Sequence, residues 1–281
     1  MSDTSPARTR IRLVALDVDG TLLTSAHEVT ERTREAVERA VRAGVRVVLA
    51  SSRGAAAMPS VLRDLTAGSA RTLRLDVVAA QGAVTGTWSD GSLRLHRRVP
   101  VPVPLARAVA GDALRAGLAV SWYSGTRWYV SHVDATIERE SHVVRTRPTV
   151  ADLTTLPDEP DKLMVIGAAE ATASLRDWRD RLPAGLLAQT SNPAYVEVTA
   201  AGVDKARAVA ELCDACGVPR EAVLAVGDGP NDVAMLRWAG RSVAPSTGSA
   251  EALAVAQLTA AGNDEDGVAQ VLETLLGGDA R

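Results

Sequence analysis

The stretch Arg12-Leu-Val-Ala-Leu-Asp-Val-Asp-Gly-Thr-Leu-Leu23 decides how the chain is read. Leu13 to Leu16 have the length and composition of a strand buried on both faces, and they run straight into Asp17 and Asp19, carboxylates that cannot be buried unpaired. The two acids therefore fall at the carboxyl end of a strand, where open α/β sheets bind ligands in the crevice at which strand order reverses. Gly20 permits a sharp turn and Thr21 can tie it. Two carboxylates one residue apart suit a hard divalent cation, or a division of labour between nucleophile and proton carrier. An ordinary turn with solvated acids fits this stretch alone equally well, so the rest of the chain must decide.

Working outward, Thr30 is placed to cap a helix whose apolar positions Val37, Ala40 and Val41 recur at helical spacing until Gly44. Val45 to Ala50 reads as a second buried strand ending in Ser51-Ser52-Arg53-Gly54, followed by a helix over Ala55 to Leu65 and a third strand, Asp76 to Ala80, ending in Gln81-Gly82. Strands and helices alternating through short loops predict a doubly wound parallel sheet of Rossmann-like α/β type. The pattern resumes after Gly202 with a helix to Cys216, a strand over Val223 to Val226 ending in Gly-Asp228-Gly-Pro-Asn-Asp232, a helix through Met235 and Leu236, a strand at Ser242 to Ala244 and a last helix over Asp266 to Leu276.

Between these halves the periodicity changes. Ala83 to Trp88 and Leu93 to Val99 alternate about a Ser-Asp-Gly turn, a helix is expected over Pro104 to Ala116, and a second hairpin spans Ala119 to Val130. A strand over Lys162 to Gly167, a helix over Ala171 to Leu182 and a closing hairpin about Asn192-Pro193 complete an α+β pattern. The expected organisation is a core of residues 1–82 plus 200–281, interrupted by an inserted α+β cap of residues 83–199.

Three strand ends thus bring polar groups to one sheet edge: Asp17 with Asp19, Ser51, and Asp228 with Asn231 and Asp232. If strand order gathers them, the carboxylates of Asp17 and Asp228 with a carbonyl at Asp19 make half of a Mg²⁺ shell, and Ser51 and Lys205 supply donors for a phosphoryl group. Pro230 suits the first turn of a helix aimed at the same place.

Asp17-Val-Asp-Gly-Thr, Ser51, Lys205 and Gly-Asp228-Gly-Pro-Asn-Asp232, in this order and with a large insert between the second and third, resemble the four motifs of haloacid-dehalogenase superfamily phosphatases of the Cof type (type IIB). The likeness extends to Asn263-Asp-Glu-Asp-Gly-Val-Ala. The resemblance implies a Mg²⁺-dependent phosphatase of small phosphorylated metabolites, sugar phosphates foremost, working through an aspartyl-phosphate. It implies Asp17 as nucleophile and Asp19 as acid and base. It further implies Ser51 and Lys205, with Ser52, Arg53 and Asn231 beside them, as the phosphate and substrate contacts, and Asp17, Asp19, Asp228 and Asp232 as the metal site. A metal-bound Asp17 would stay ionised while Asp19 is free to titrate. A sugar phosphomutase and a phosphate-binding module without turnover are the alternative readings. The chain departs from the family pattern at Ser52, where glycine is usual, at Gln81 for asparagine, at Ala206 for glycine, and over Val243 to Ala250.

Other features are bounded more loosely. Arg53 can grip a second anionic group or form an ion pair, and Trp122, Tyr123, Trp128 and Tyr129 can offer a ring platform or pack the cap, with only alternate side chains able to face the site. Cys213 and Cys216 close a helical pattern at Gly217 and read as helix thiols rather than a redox pair, which wants its first thiol at a helix start. With a net charge of −3 and 46% hydrophobic residues over 281 positions, nucleic acid and anionic membrane are not expected partners. The polar first ten residues and the lack of a long apolar run lead us to expect a cytoplasmic protein. The sequence fixes no oligomeric state.

Overall fold

Leu13 to Leu16 are 0% exposed and form the strand about which the chain is built. The computed structural model describes residues 9–69, 73–167, 175, 178–190 and 194–278. Its strands, in chain order, are β1 (Leu13–Leu16), β2 (Arg46–Ala50), β3 (Leu75–Ala79), β4 (Val84–Ser89), β5 (Ser92–Arg98), β6 (Ala119–Ser124) and β7 (Arg127–Val130). They continue with β8 (Thr149–Val150), β9 (Lys162–Ile166), β10 (Leu186–Gln189), β11 (Tyr195–Ala200), β12 (Val223–Val226), β13 (Arg241–Pro245) and β14 (Leu258–Ala260). They form an eight-stranded sheet of order β14-β13-β12-β1-β2-β3-β4-β5 and a six-stranded sheet of order β10-β11-β9-β6-β7-β8.

From β14 to β3 the first sheet is parallel. The chain leaves β1 toward β2 and β3 on one side and returns to β12 and β13 on the other, so strand order reverses at β1, and the crevice expected for ligands opens at its carboxyl end. The apolar residues of the central strands alternate between two cores. Val14, Leu16, Val47, Leu49 and Val77 pack with the helices Glu31–Arg42, Met58–Thr66 and Gly267–Gly278. Leu13, Ala15, Val48, Ala50 and Ala225 pack with Lys205–Cys216 and Val233–Trp238. The helix Glu31–Arg42 begins as expected, with the Thr30 hydroxyl accepting from the Thr33 amide at 3.1 Å. Lys205–Cys216 is capped by Asp204, which accepts from Arg207 N at 2.8 Å, and Gly217 ends it with φ of +62°.

One expectation is corrected. The hairpin of residues 83–99, expected to open the insert, belongs to the first sheet: β4 pairs antiparallel with β3 from Ala79 opposite Val84 to Leu75 opposite Trp88, and β5 forms the sheet edge. The physical reason is the tightness of the connection through Ala80 to Gly82, which leaves β4 no partner within reach but β3. The change of sheet falls between Arg98 and Ala119, not at Gly82. The helix Ala135–Val144 was not legible, because its buried positions Ile137, Glu140 and Val144 include a carboxylate. The Asp134 side chain, which accepts from the amides of Thr136 and Ile137, was the available signal. Much of the expected helix over Ala171 to Leu182, and the turn about Asn192-Pro193, lie outside the described residues.

The second sheet has two unlike faces. Val120, Trp122, Leu163, Val165, Val196 and Val198 pack against the helix Val103–Arg115 and Trp178. The alternate positions Tyr123, Met164 and Ile166 turn the other way, with Ala56 and Ala57 of the first sheet's loops among their neighbours. The aromatic cluster is therefore split by the pleat: Trp122, 0% exposed, is in the core of the second sheet, whereas Tyr123 stacks on Trp128 with ring centroids 5.6 Å apart, on the face toward the first sheet. Trp122→Ala is expected to lower stability by about 3–5 kcal/mol, and Val133→Ala, at an exposed position, to change it by less than about 0.5 kcal/mol, both read from chemical denaturation midpoints. A small loss at Trp122 would remove it from the core.

Candidate active site

The three parallel strands β1, β2 and β12 end side by side, which brings Asp17, Ser51 and Asp228 to one edge. The Asp17 amide continues the ladder to Val226 O at 2.9 Å and the Ser51 amide to Val78 O at 2.8 Å, so both residues are fixed by sheet hydrogen bonds rather than by loops. Gly20, at φ +79°, turns the chain where a Cβ would stand 2.4 Å from Asp228 Oδ2. Thr21 Oγ1 donates to Asp228 Oδ1 at 2.6 Å and ties the first motif to the last.

Lys205 lies at the centre. Its side chain is 0% exposed, and Nζ donates to Asp17 Oδ1 at 2.6 Å and to Asp232 Oδ1 at 2.8 Å. The other oxygen of Asp232 accepts from the amides of Asp228 at 3.1 Å and Gly229 at 2.9 Å. Asp232 is thereby committed on both oxygens and holds the loop and the lysine. One carboxylate oxygen from each of Asp17, Asp228 and Asp232 lies within 4.8 Å of the others.

Three carboxylates around one ammonium leave an excess of negative charge. Burial, reinforced by Asp232 and opposed by Lys205, pushes the Asp17 carboxyl well above its ordinary range, and burial raises Asp228 as well, against the Thr21 hydrogen bond. Burial works against the Lys205 cation, but Asp17 and Asp232 outweigh it and keep the ammonium charged. All-oxygen donors and surplus negative charge are what a hard divalent cation requires, so these residues fit one.

Asp19 stands apart from that cluster. Its two oxygens accept from Arg53 Nε at 2.8 Å and Nη2 at 2.6 Å, and His27 Nδ1 is 3.6 Å away. Burial would raise its pKa, but the nearby His27 ring and the hydrogen bonds from Arg53 outweigh burial and hold the carboxyl well below the ordinary range. In this arrangement Arg53 forms an ion pair with Asp19 that favours the ionised carboxylate, where the sequence leads us to expect Asp19 free to titrate. Sequence could not show this, since it depends on the loop after β2 folding over the loop after β1.

The remaining expected residues fall nearby. Ser51 is fully buried, and its hydroxyl accepts from Arg53 N at 3.0 Å, which leaves its proton to donate elsewhere. Ser52 gives its carbonyl to Lys162 Nζ at 2.7 Å. Asn231 Nδ2 donates to Gln81 Oε1 at 3.3 Å, and Gln81 Nε2 donates onward to Glu197 Oε2 at 3.2 Å.

Sequence reasoning gave no role to Lys162, Glu197, Glu140, Tyr195 or His27. Lys162 and Glu197 form a buried pair at 3.0 Å on the face of the second sheet toward the first. The signal was present in the period of two in Lys162-Leu-Met-Val-Ile and Tyr195-Val-Glu-Val-Thr, where Tyr195, Glu197 and Lys162 share a face opposite the valines.

A family model described as haloacid dehalogenase-like hydrolase matches residues 14–272. The chain is 26% identical over 300 residues to the 5-amino-6-(5-phospho-D-ribitylamino)uracil phosphatase YwtE of Bacillus subtilis, covering 95% of this chain and 99% of that one. Its fold is similar to the crystal structure of a haloacid dehalogenase-like hydrolase from Bacteroides thetaiotaomicron, with a TM-score of 0.84, 26% identity, and coverage of 95% and 100%. It is also similar in fold to the HAD subclass IIB sugar phosphatase BT4131, with a TM-score of 0.76, 22% identity, and coverage of 94% and 98%.

The Asp19 geometry makes a pH prediction. Its folded-state pKa lies below the ordinary 3.8, so the Asp19–Arg53 pair contributes stability that is complete above that value and lost as pH falls through the folded pKa. Wild type and Arg53→Ala should therefore differ most in Tm at neutral pH and converge in strong acid. A gap that widens in acid would contradict the pairing.

Proposed function

The chain belongs to the haloacid dehalogenase-like hydrolases, and from that premise we propose that it is a phosphatase of small phosphorylated metabolites, sugar phosphates foremost, working through an aspartyl-phosphate on Asp17. The observation that carries the reading is the position of Asp17: at the end of β1, 6% exposed, with Lys205 2.6 Å away. The relatives' printed activities, on a ribityl phosphate and on sugar phosphates, support the substrate class.

In this reading a carboxylate oxygen of Asp17 attacks phosphorus while the bond from phosphorus to the leaving oxygen breaks. Lys205 and the Ser51 hydroxyl bind the phosphoryl oxygens and offset their charge as it develops, in a site from which the second sheet excludes bulk water. The leaving alkoxide takes a proton from Asp19. Because Arg53 holds Asp19 ionised, that pair must open for Asp19 to carry a proton. Asp19 then takes the proton of a water whose oxygen attacks the acyl-phosphate, releasing phosphate and restoring Asp17.

Asp17 and Asp228, with Asp232 behind them, would hold Mg²⁺. When bound, the ion would supply positive charge to the phosphoryl oxygens and keep Asp17 ionised against the effect of burial. The division of the chain follows the sheets. We place the covering cap at about residues 100–200 and assign the hairpin of β4 and β5 to the core.

Phosphate release from p-nitrophenyl phosphate and a panel of sugar monophosphates is expected to fall by about 10³-fold or more in Asp17→Asn, and to be abolished by excess chelator and restored by Mg²⁺. Wild-type rates in Asp17→Asn would refute the reading.

A further inference from the structure

Between the two sheets, beside Asp19, lies a cavity of about 280 Å³, just below the ~300–1,000 Å³ usual for small-molecule sites. Asp19, Ser52 and Arg53 line it from the core. Tyr123, Lys162, Tyr195 and Glu197 line it from the cap sheet, and Glu140 from the helix Ala135–Val144. In a phosphatase with Asp17 as nucleophile and Asp19 as acid, this is the space left for the alcohol that departs.

The charges around that space are unequal in an informative way. Arg53 is committed to both oxygens of Asp19, and Lys162 to Glu197 and the Ser52 carbonyl. Each of these cations is matched by a carboxylate, Arg53 for as long as its pair with Asp19 is closed. Glu140 differs. It is 7% exposed, has no cation within salt-bridge distance among the described residues, and accepts at Oε2 from the Tyr195 hydroxyl at 3.0 Å. A carboxylate of this kind, held in place by one donor and turned to a cavity, gains from further donors and repels anions. Burial pushes its carboxyl up, opposed by Lys162 and the Tyr195 hydrogen bond.

We propose that Glu140, positioned by Tyr195, is the residue that reads hydroxyl groups of the departing alcohol, so that the site takes neutral polyhydroxylated leaving groups and refuses those carrying a second phosphate. The inference rests on the phosphatase reading above and deepens it. It places the specificity of the reaction on a cap helix rather than on the aromatic cluster.

The test compares kcat/KM for fructose 6-phosphate, fructose 1,6-bisphosphate and p-nitrophenyl phosphate in the full chain. Wild type is expected to use the monophosphate about tenfold or more better than the bisphosphate. In Glu140→Gln the ratio of fructose 6-phosphate to p-nitrophenyl phosphate should fall about tenfold, the loss of one hydrogen bond to a charged group. Tyr195→Phe should move the ratio the same way by less, and Glu140→Lys should shift preference toward the bisphosphate. Turnover of p-nitrophenyl phosphate with the bisphosphate used as well as the monophosphate, or with ratios unmoved by Glu140→Gln and Glu140→Lys, would overturn this inference alone. Absence of turnover of all three compounds by wild type would overturn the phosphatase reading and this inference with it.

Discussion

A buried ammonium between two carboxylates organises the structure. Lys205 has no access to water, and a charge so placed is tolerable only if its partners are fixed: removing one member of such a pair costs about 3–5 kcal/mol. Asp17 is fixed by the β1 ladder and Asp232 by two backbone amides of its own loop. Lys205 itself is fixed by the start of its helix, which packs so closely on the end of β3 that a Cβ on Gly82 would lie 2.4 Å from Asp204 O. Three strand ends and a helix start are thereby locked into one geometry, which is the preorganisation that phosphoryl transfer needs.

The second sheet extends this logic outward. Its alternate residues place a second buried pair, Lys162 with Glu197, over the first site, and Lys162 reaches across to the Ser52 carbonyl. Gln81 completes the connection, bonded to Glu197 on one side and Asn231 on the other. Its own backbone is left-handed, at φ +60°, as are those of Ala80 and Gly82. Conformations of this kind cost non-glycine residues about 1–2 kcal/mol each, a strain offset by the hydrogen bonds they make possible. Arg145 pairs with Asp64 at the far rim. The covering layer thus meets the core through polar contacts that also hold the loops of the site, and the water it displaces strengthens every charge beneath it.

The succession of strands and helices about β1, the two-faced burial of β1 and β2, the capped helix after Thr30 and the polar strand ends at Asp17, Ser51 and Asp228 could be read from sequence, because each is written in local period and composition; their convergence depended on the strand order, which only the fold shows. What escaped was long-range. The β4–β5 hairpin alternates as a hairpin in either sheet would, so only its short connection to β3 distinguishes the two. The helix carrying Glu140 lacks a clean apolar face because its buried carboxylate serves the cavity rather than the core. Arg53 on Asp19 depends on how two loops meet, and no spacing within either loop encodes that. Among the described residues no helix is long and apolar enough to cross a membrane.

The central claim is that Asp17 forms a covalent bond to phosphorus, and it can be tested without knowing the natural substrate. Rapidly quenched enzyme, mixed with a turned-over phosphomonoester and reduced with borohydride, is digested with trypsin and the peptide of residues 13–32 sequenced by mass spectrometry. An acyl-phosphate is reduced to the alcohol, so the account predicts conversion of Asp17 to homoserine, dependent on substrate, with Asp19 unchanged. Reduction at Asp19, or none anywhere during turnover, would contradict it.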